Sequence, residues 1–168
     1  MKATEFIGTV VIDKQAREVG KVADISVTIK ECLVDKVIVI TGSALKRNYF
    51  AVVSDEIAEI GDYMQLTLDE VGIEGKGKVD KIEQLPLEGD LLKNFVGKEV
   101  LSEDAMVIGK VEDMLIDPKG CLIHNVVIST GSAFRKKNLM VSDEDIKHIG
   151  DYVILEMKKD RIEELLGD

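Results

Sequence analysis

The chain has 168 residues, 45% of them apolar, no Trp and a formal charge of −10; it can build a core of Val, Ile and Leu, which favour strands, and its acidity argues against direct nucleic-acid binding, where Lys and Arg must displace counterions. Its two cysteines form no CxxC and its two histidines join no cluster of zinc spacing, so neither a metal nor a cofactor is expected. The N-terminal Met1 to Phe6 lacks a signal-peptide apolar run and no stretch approaches the ~20 apolar residues of a membrane span, so reduced thiols and a cytoplasmic location are expected.

Phe6 to Ile12 reads as a short apolar strand running into the polar turn Asp13 to Glu18. Ala23, Ile25, Val27 and Ile29 alternate with Asp24, Ser26 and Thr28, the period of a strand with one buried face and Asp24 on the solvent side. Leu33 to Ile40 is nearly continuous and β-branched, as in a strand covered on both faces. Thr41-Gly42-Ser43-Ala44 ends it in turn chemistry, and the chain returns through Tyr49 to Val53. Ser54 or Asp55 is placed to cap a single helical turn. After Gly61-Asp62, Met64, Leu66 and Leu68 alternate with Gln65 and Thr67 in a last strand.

The whole pattern then returns 89 residues later without a gap: Thr130-Gly131-Ser132-Ala133 repeats Thr41 to Ala44, Ile149-Gly150-Asp151-Tyr152 repeats Ile60 to Tyr63, and Gly109-Lys110-Val111 with Asp113 repeats Gly20-Lys21-Val22 with Asp24. Cys121-Leu122 repeats Cys32-Leu33 in the same register. Self-similarity of this kind sets the architecture. It gives a first repeat at residues 1–70, a connector at 71–93 rich in glycine and charge, and a second repeat at 94–168. Asp80-Lys81-Ile82-Glu83 and Asp160-Arg161-Ile162-Glu163 both read as capping boxes, predicting a short helix near 80–85 and a C-terminal helix near 160–166, at an offset of 80 rather than 89. The fold class expected is all-β: two tandem small antiparallel barrels, each followed by a short helix. A unit of about 60 residues is marginal alone, so the copies are expected to pack on each other, on a second chain as a homo-oligomer, or on both.

Gly20-Lys21-Val22-Ala23-Asp24-Ile25 followed by a long apolar strand and Ile57-Ala58-Glu59-Ile60-Gly61-Asp62-Tyr63 resembles the PRC-barrel family. The second copy, Gly109 to Met114 and Ile146 to Leu155, is the closer match. The resemblance implies a non-catalytic adaptor that binds another, unidentified protein, as archaeal cell-division members do. The alternative it implies is an accessory factor in RNA processing or ribosome maturation, like members of the RimM type.

No catalytic motif is present: there is no G-x-S-x-G, P-loop or H-E-x-x-H. Asp24 and Asp113 read as solvent-face or turn-bound carboxylates rather than a functional pair, and His124 and His148 as surface groups. Two loops stand out as the most basic spots of an acidic chain. Leu45-Lys46-Arg47 and Phe134-Arg135-Lys136-Lys137 are equivalently placed and read either as solvated hairpin tips or as partner contacts with Leu45 and Phe134 as apolar anchors. Ile154, where the first copy has Gln65, is a further candidate interface residue. A pseudo-twofold could bring Cys32 near Cys121, against the strict geometry a disulfide requires.

Overall fold

The computed structural model describes residues 1–43, 45–131 and 137–167. In chain order, the first repeat, which extends past residue 70, holds α1 (Ala3–Phe6), β1 (Val10–Ile12), β2 (Glu18–Thr28), β3 (Leu33–Ser43), β4 (Lys46–Val52), β5 (Ile57–Ile60), β6 (Tyr63–Leu66) and α2 (Glu70–Glu74). The second, which opens before residue 94, holds β7 (Asp90–Leu91), β8 (Glu99–Leu101), β9 (Val107–Asp117), β10 (Leu122–Thr130), β11 (Lys137–Val141), β12 (Ile146–Ile149), β13 (Val153–Leu155) and α3 (Lys159–Leu165). Pairing repeats with the sequence: β1 joins β2 antiparallel and β6 in parallel, as β8 joins β9 and β13.

The fold is mostly β, but the sheet does not close into the two tandem small antiparallel barrels expected. Among the described residues one open sheet of thirteen strands runs through both repeats in the order β12-β13-β8-β9-β10-β3-β2-β1-β6-β5, with β4, β7 and β11 attached beside it. The join is antiparallel and self-complementary. Leu33 lies opposite Leu122, and the N–H groups of Val34 and Ile123 donate to the carbonyls of Cys121 and Cys32 at 3.2 and 2.8 Å.

Several local expectations are corrected by packing. Phe6 ends a helical turn instead of starting a strand, because α1 buries Ala3 and Phe6. The turn at Ser54–Glu56 has Val53 as its N-cap, and Glu56 rather than Ser54 or Asp55 accepts the Val53 N–H at 3.0 Å. The helix following the first repeat is α2, in the same 89-residue register as α3, so that Ile73 corresponds to Ile162 and both are buried. Asp80 to Leu85 forms only a 3-10 turn at Ile82–Gln84, where Gln84 Oε1, and not Glu83, accepts the Asp80 and Lys81 N–H groups. At the other helix Lys158 occupies the N-cap, without a side-chain hydrogen bond, in place of the expected Asp160.

The connector is not a bare linker. Val79 exchanges two backbone hydrogen bonds with Tyr49 on the outer edge of β4. Ile38, Leu85 and Leu91 form a second buried cluster, flanked by Ala51, Val79, Ile82 and Leu87, on the outer face of the first repeat.

The N-terminal segments are exchanged between repeats. Lys2 pairs with Leu115 of β9, as Leu91 pairs with Ser26 of β2. Asp24 and Ser26, expected on a solvent face, are therefore buried beneath the segment that opens the second repeat.

Candidate contact surfaces and buried carboxylates

Burying an unpaired carboxylate is costly, so its hydrogen bonds reveal its task. Asp24 Oδ1 accepts the N–H groups of Ile25 at 2.7 Å and Leu92 at 3.1 Å. Asp113 Oδ1 accepts those of Met114 at 2.8 Å and Thr4 at 3.0 Å, while its Oδ2 takes the Thr4 hydroxyl. Each carboxylate closes the opening turn of the other repeat. Burial pushes the Asp24 pKa up, against the opposing pull of the N–H groups of Ile25, Lys93 and Leu92. Asp35 behaves oppositely: burial works to raise it, but the N–H groups of Glu88 and Gly89, the Ser26 hydroxyl and Lys36 outweigh burial and hold its carboxyl below the usual value.

The glycines and threonines of the repeated motif shape a cleft at the open end of each repeat. A Cβ on Gly20 would stand 1.9 Å from the Ile40 carbonyl oxygen, and one on Gly109 the same distance from that of Ser129, so both strand pairs close only around glycine. The first cleft, about 530 Å³, is lined by Lys21, Thr41, Gly42 and Arg47. The second, about 440 Å³, is lined by Val107, Thr130, Lys137, Lys159, Ile162 and Leu166. Thr130 donates its hydroxyl to the Lys137 carbonyl at 2.9 Å, and Lys137 Nζ donates to the Leu166 carbonyl at 3.0 Å, tying β11 to the end of α3.

Beside the first cleft, Leu45 is 99% exposed at the β3–β4 tip, with Lys46 and Arg47 exposed next to it. In the second copy Phe134, Arg135 and Lys136 lie outside the described residues, and Lys137 begins β11. Ser43 and Thr130, the strand ends that lead into the two basic stretches, are not brought together. β3 and β10 meet at Leu33 and Leu122 and run in opposite directions, so their far ends lie at opposite extremes of the paired strands. Ile154 is half-buried between the buried Val153 and Leu155 and pairs with Leu101 and His148. His124 and His148 are both exposed.

The cysteines flank the join without bridging. Both adopt left-handed backbone angles, φ 59° and 66°, and both are free thiols. Cys121 Sγ donates to the Val34 carbonyl at 2.9 Å, while burial and then Asp143 push the Cys32 thiol pKa up. Among the described residues no group of three or more His, Cys, Asp or Glu could hold a metal ion, and no helix is long and apolar enough to cross a membrane.

The surface feature that sequence reasoning missed is an asymmetry of cover. The first repeat's outer face carries the connector, whereas at the equivalent place in the second repeat Asn138 and Met140 are exposed. A signal was present in Ala51→Met140, since small and large apolar residues at matched positions imply different neighbours.

Residues 88–162 match the family model described as the PRC-barrel domain. No curated protein matches the sequence. Among solved structures, a Pseudomonas aeruginosa chain given as the 16S ribosomal RNA processing protein RimM aligns with 92% of this chain and 98% of its own, at 13% identity and a TM-score of 0.32, a likeness too distant to bear on function.

Proposed function

We propose, from a chain that carries a PRC-barrel domain over residues 88–162, that this protein works by binding another protein rather than by catalysis. The observation that carries the reading is Leu45, a 99% exposed apolar side chain followed by Lys46 and Arg47 at the tip of a paired hairpin. An exposed apolar anchor beside charge is the composition of a protein contact. The buried carboxylates are already engaged in holding backbone N–H groups, which is a structural task. Because the strand ends that lead into the two basic stretches, Ser43 and Thr130, lie at opposite extremes, a partner engaging both stretches must be long or itself repeated.

The second reading is an accessory factor in RNA processing or ribosome maturation, the alternative that the PRC-barrel resemblance implies. Its physical basis is the same pair of basic tips, Lys46-Arg47 and Arg135-Lys136-Lys137, on an otherwise acidic chain.

The test is capture of partners from the native cell by the wild type and by a variant with Lys46, Arg47, Arg135, Lys136 and Lys137 changed to Glu, beside RNA gel shifts across a salt series. The protein-binding reading expects a protein captured by the wild type and lost from the variant, with no RNA shift. An unchanged capture removes the tips as the contact. An RNA shift that weakens steeply with salt replaces the first reading by the second.

A further inference from the structure

The two outer faces differ in one respect that the repeat symmetry makes measurable. In the first repeat the edge of β4 is closed by the connector: the Tyr49 N–H donates to the Val79 carbonyl at 2.8 Å, and the Val79 N–H donates back to the Tyr49 carbonyl at 2.9 Å. Behind that bridge Ile82, Leu85 and Leu87 cover Ile38 and Ala51, and the Asn48 amide donates to Asp80 Oδ1 at 3.3 Å.

In the second repeat the same register places Asn138 at the position of Tyr49, opposite Ser129 as Tyr49 is opposite Ile40. Its backbone N–H and carbonyl therefore point away from β10, and they have no partner among the described residues. Met140 stands where Ala51 is covered and is 53% exposed. An unpaired strand edge beside exposed apolar surface is a template for another strand.

We propose that the β11 edge of the second repeat, with Met140 and Asn138, is a docking site for an extended segment of a partner protein that adds as a strand in the manner of residues 79–87. The proposal rests on the protein-binding reading above and names where and in what form a partner binds. The first repeat's own connector shows the form of the occupant: Val79 pairs with Tyr49, Asp80 lies beside Asn48, and Ile82 and Leu85 cover the apolar face. The segment that fits carries an acidic residue beside its first apolar one and further apolar residues at the spacing of Val79, Ile82 and Leu85. A second copy of this chain is disfavoured as occupant. Two copies each carry a formal charge of −10, and each copy's own segment of this kind is already paired with its Tyr49.

The probe is a fluorescein-labelled peptide with the sequence of residues 77–91, added to the full chain and followed by anisotropy, with amide chemical shifts recorded in parallel. Saturable micromolar binding is expected, with shifts at residues 137–141. Met140→Glu and Asn138→Pro are each expected to weaken it tenfold or more, while Met140→Leu, which keeps the apolar surface and controls for folding, is expected to leave it within threefold. A peptide carrying Val79→Asp is expected not to bind. The charge-reversed tip pair Lys46→Glu with Arg47→Glu is expected to leave peptide binding unchanged. Failure here with partner capture still sensitive to the tips thus overturns this site and spares the general reading. No binding at millimolar peptide, binding insensitive to Met140→Glu, or shifts confined to residues 46–52 overturns the proposal. So does a dimer in solution that Met140→Glu dissociates, which assigns the face to a second copy.

Discussion

Asp113 accepts both the backbone N–H and the hydroxyl of Thr4, 109 positions earlier in the chain, and so fixes the N-terminal turn of one repeat onto a long strand of the other. Asp24 does the same for Leu92, so the two repeats are held by an exchange of segments as well as by the Leu33–Leu122 join. Neither repeat has its full complement of contacts without its partner.

Removing that anchor leaves buried donors unsatisfied. Asp113→Ala is expected to lower the unfolding free energy by about 2–3 kcal/mol. Thr4→Val, which keeps the N–H bond and loses only the hydroxyl, is expected to cost about 1 kcal/mol. Urea denaturation at neutral pH measures both, and equal effects for the two variants would contradict the shared anchoring role.

The acid dependence of stability has two opposed contributions. Asp35, held below its ordinary value of 3.8, contributes stability that is present above that value and lost as pH falls through the lower folded pKa. Asp24, raised above 3.8 by burial, contributes stability that is present below 3.8 and lost as pH rises through the raised folded pKa. Asp35→Asn is expected to flatten the acid limb of the stability profile, and Asp24→Asn to remove the decline above 3.8. Hydrogen exchange at the Glu88 and Gly89 amides, which Asp35 accepts, follows the first of these directly.

Matched glycines separate close approach from turn chemistry. Gly20→Ala and Gly109→Ala each force a methyl to within 1.9 Å of a carbonyl oxygen on the neighbouring strand and are expected to cost about 3 kcal/mol or to prevent folding. Gly61→Ala and Gly150→Ala meet nothing within 4 Å and are expected to stay within about 0.5 kcal/mol of wild type. Thermal unfolding of the four variants checks the contrast.

Left-handed alanines offer the reverse experiment. Ala16 at φ 64° and Ala105 at φ 62° are exposed and occupy equivalent turns. Replacing either with Gly is expected to stabilise the fold by about 0.5–1 kcal/mol, the strain relieved exceeding the entropy added to the unfolded chain. A fall in melting temperature for both would refute the strain.

What the sequence by itself determined is the unit and its register: the 89-residue offset and the long central strands at β3 and β10 are visible as local pattern, whereas Thr41, Gly42 and Thr130, which read as turn residues, lie within those strands because β4 and β11 pair along them. Tertiary structure decided what covers each face. Alternation around Asp24 shows that one side of β2 is polar, and cannot show that this side is buried under residues 90–94, because a hydrogen-bonded carboxylate and a solvated one leave the same period in the sequence. The echo of Asp80-Lys81-Ile82 in Asp160-Arg161-Ile162 competed with the truer match of Ile73 to Ile162, and only burial against the core distinguishes them. The basic stretches look like one paired feature along the chain, yet the antiparallel join sends the strand ends that lead into them, Ser43 and Thr130, to opposite ends. Periodicity records the faces an element presents to its surroundings; which distant segment meets each face depends on non-local surfaces burying one another, and no window of neighbouring residues contains that choice.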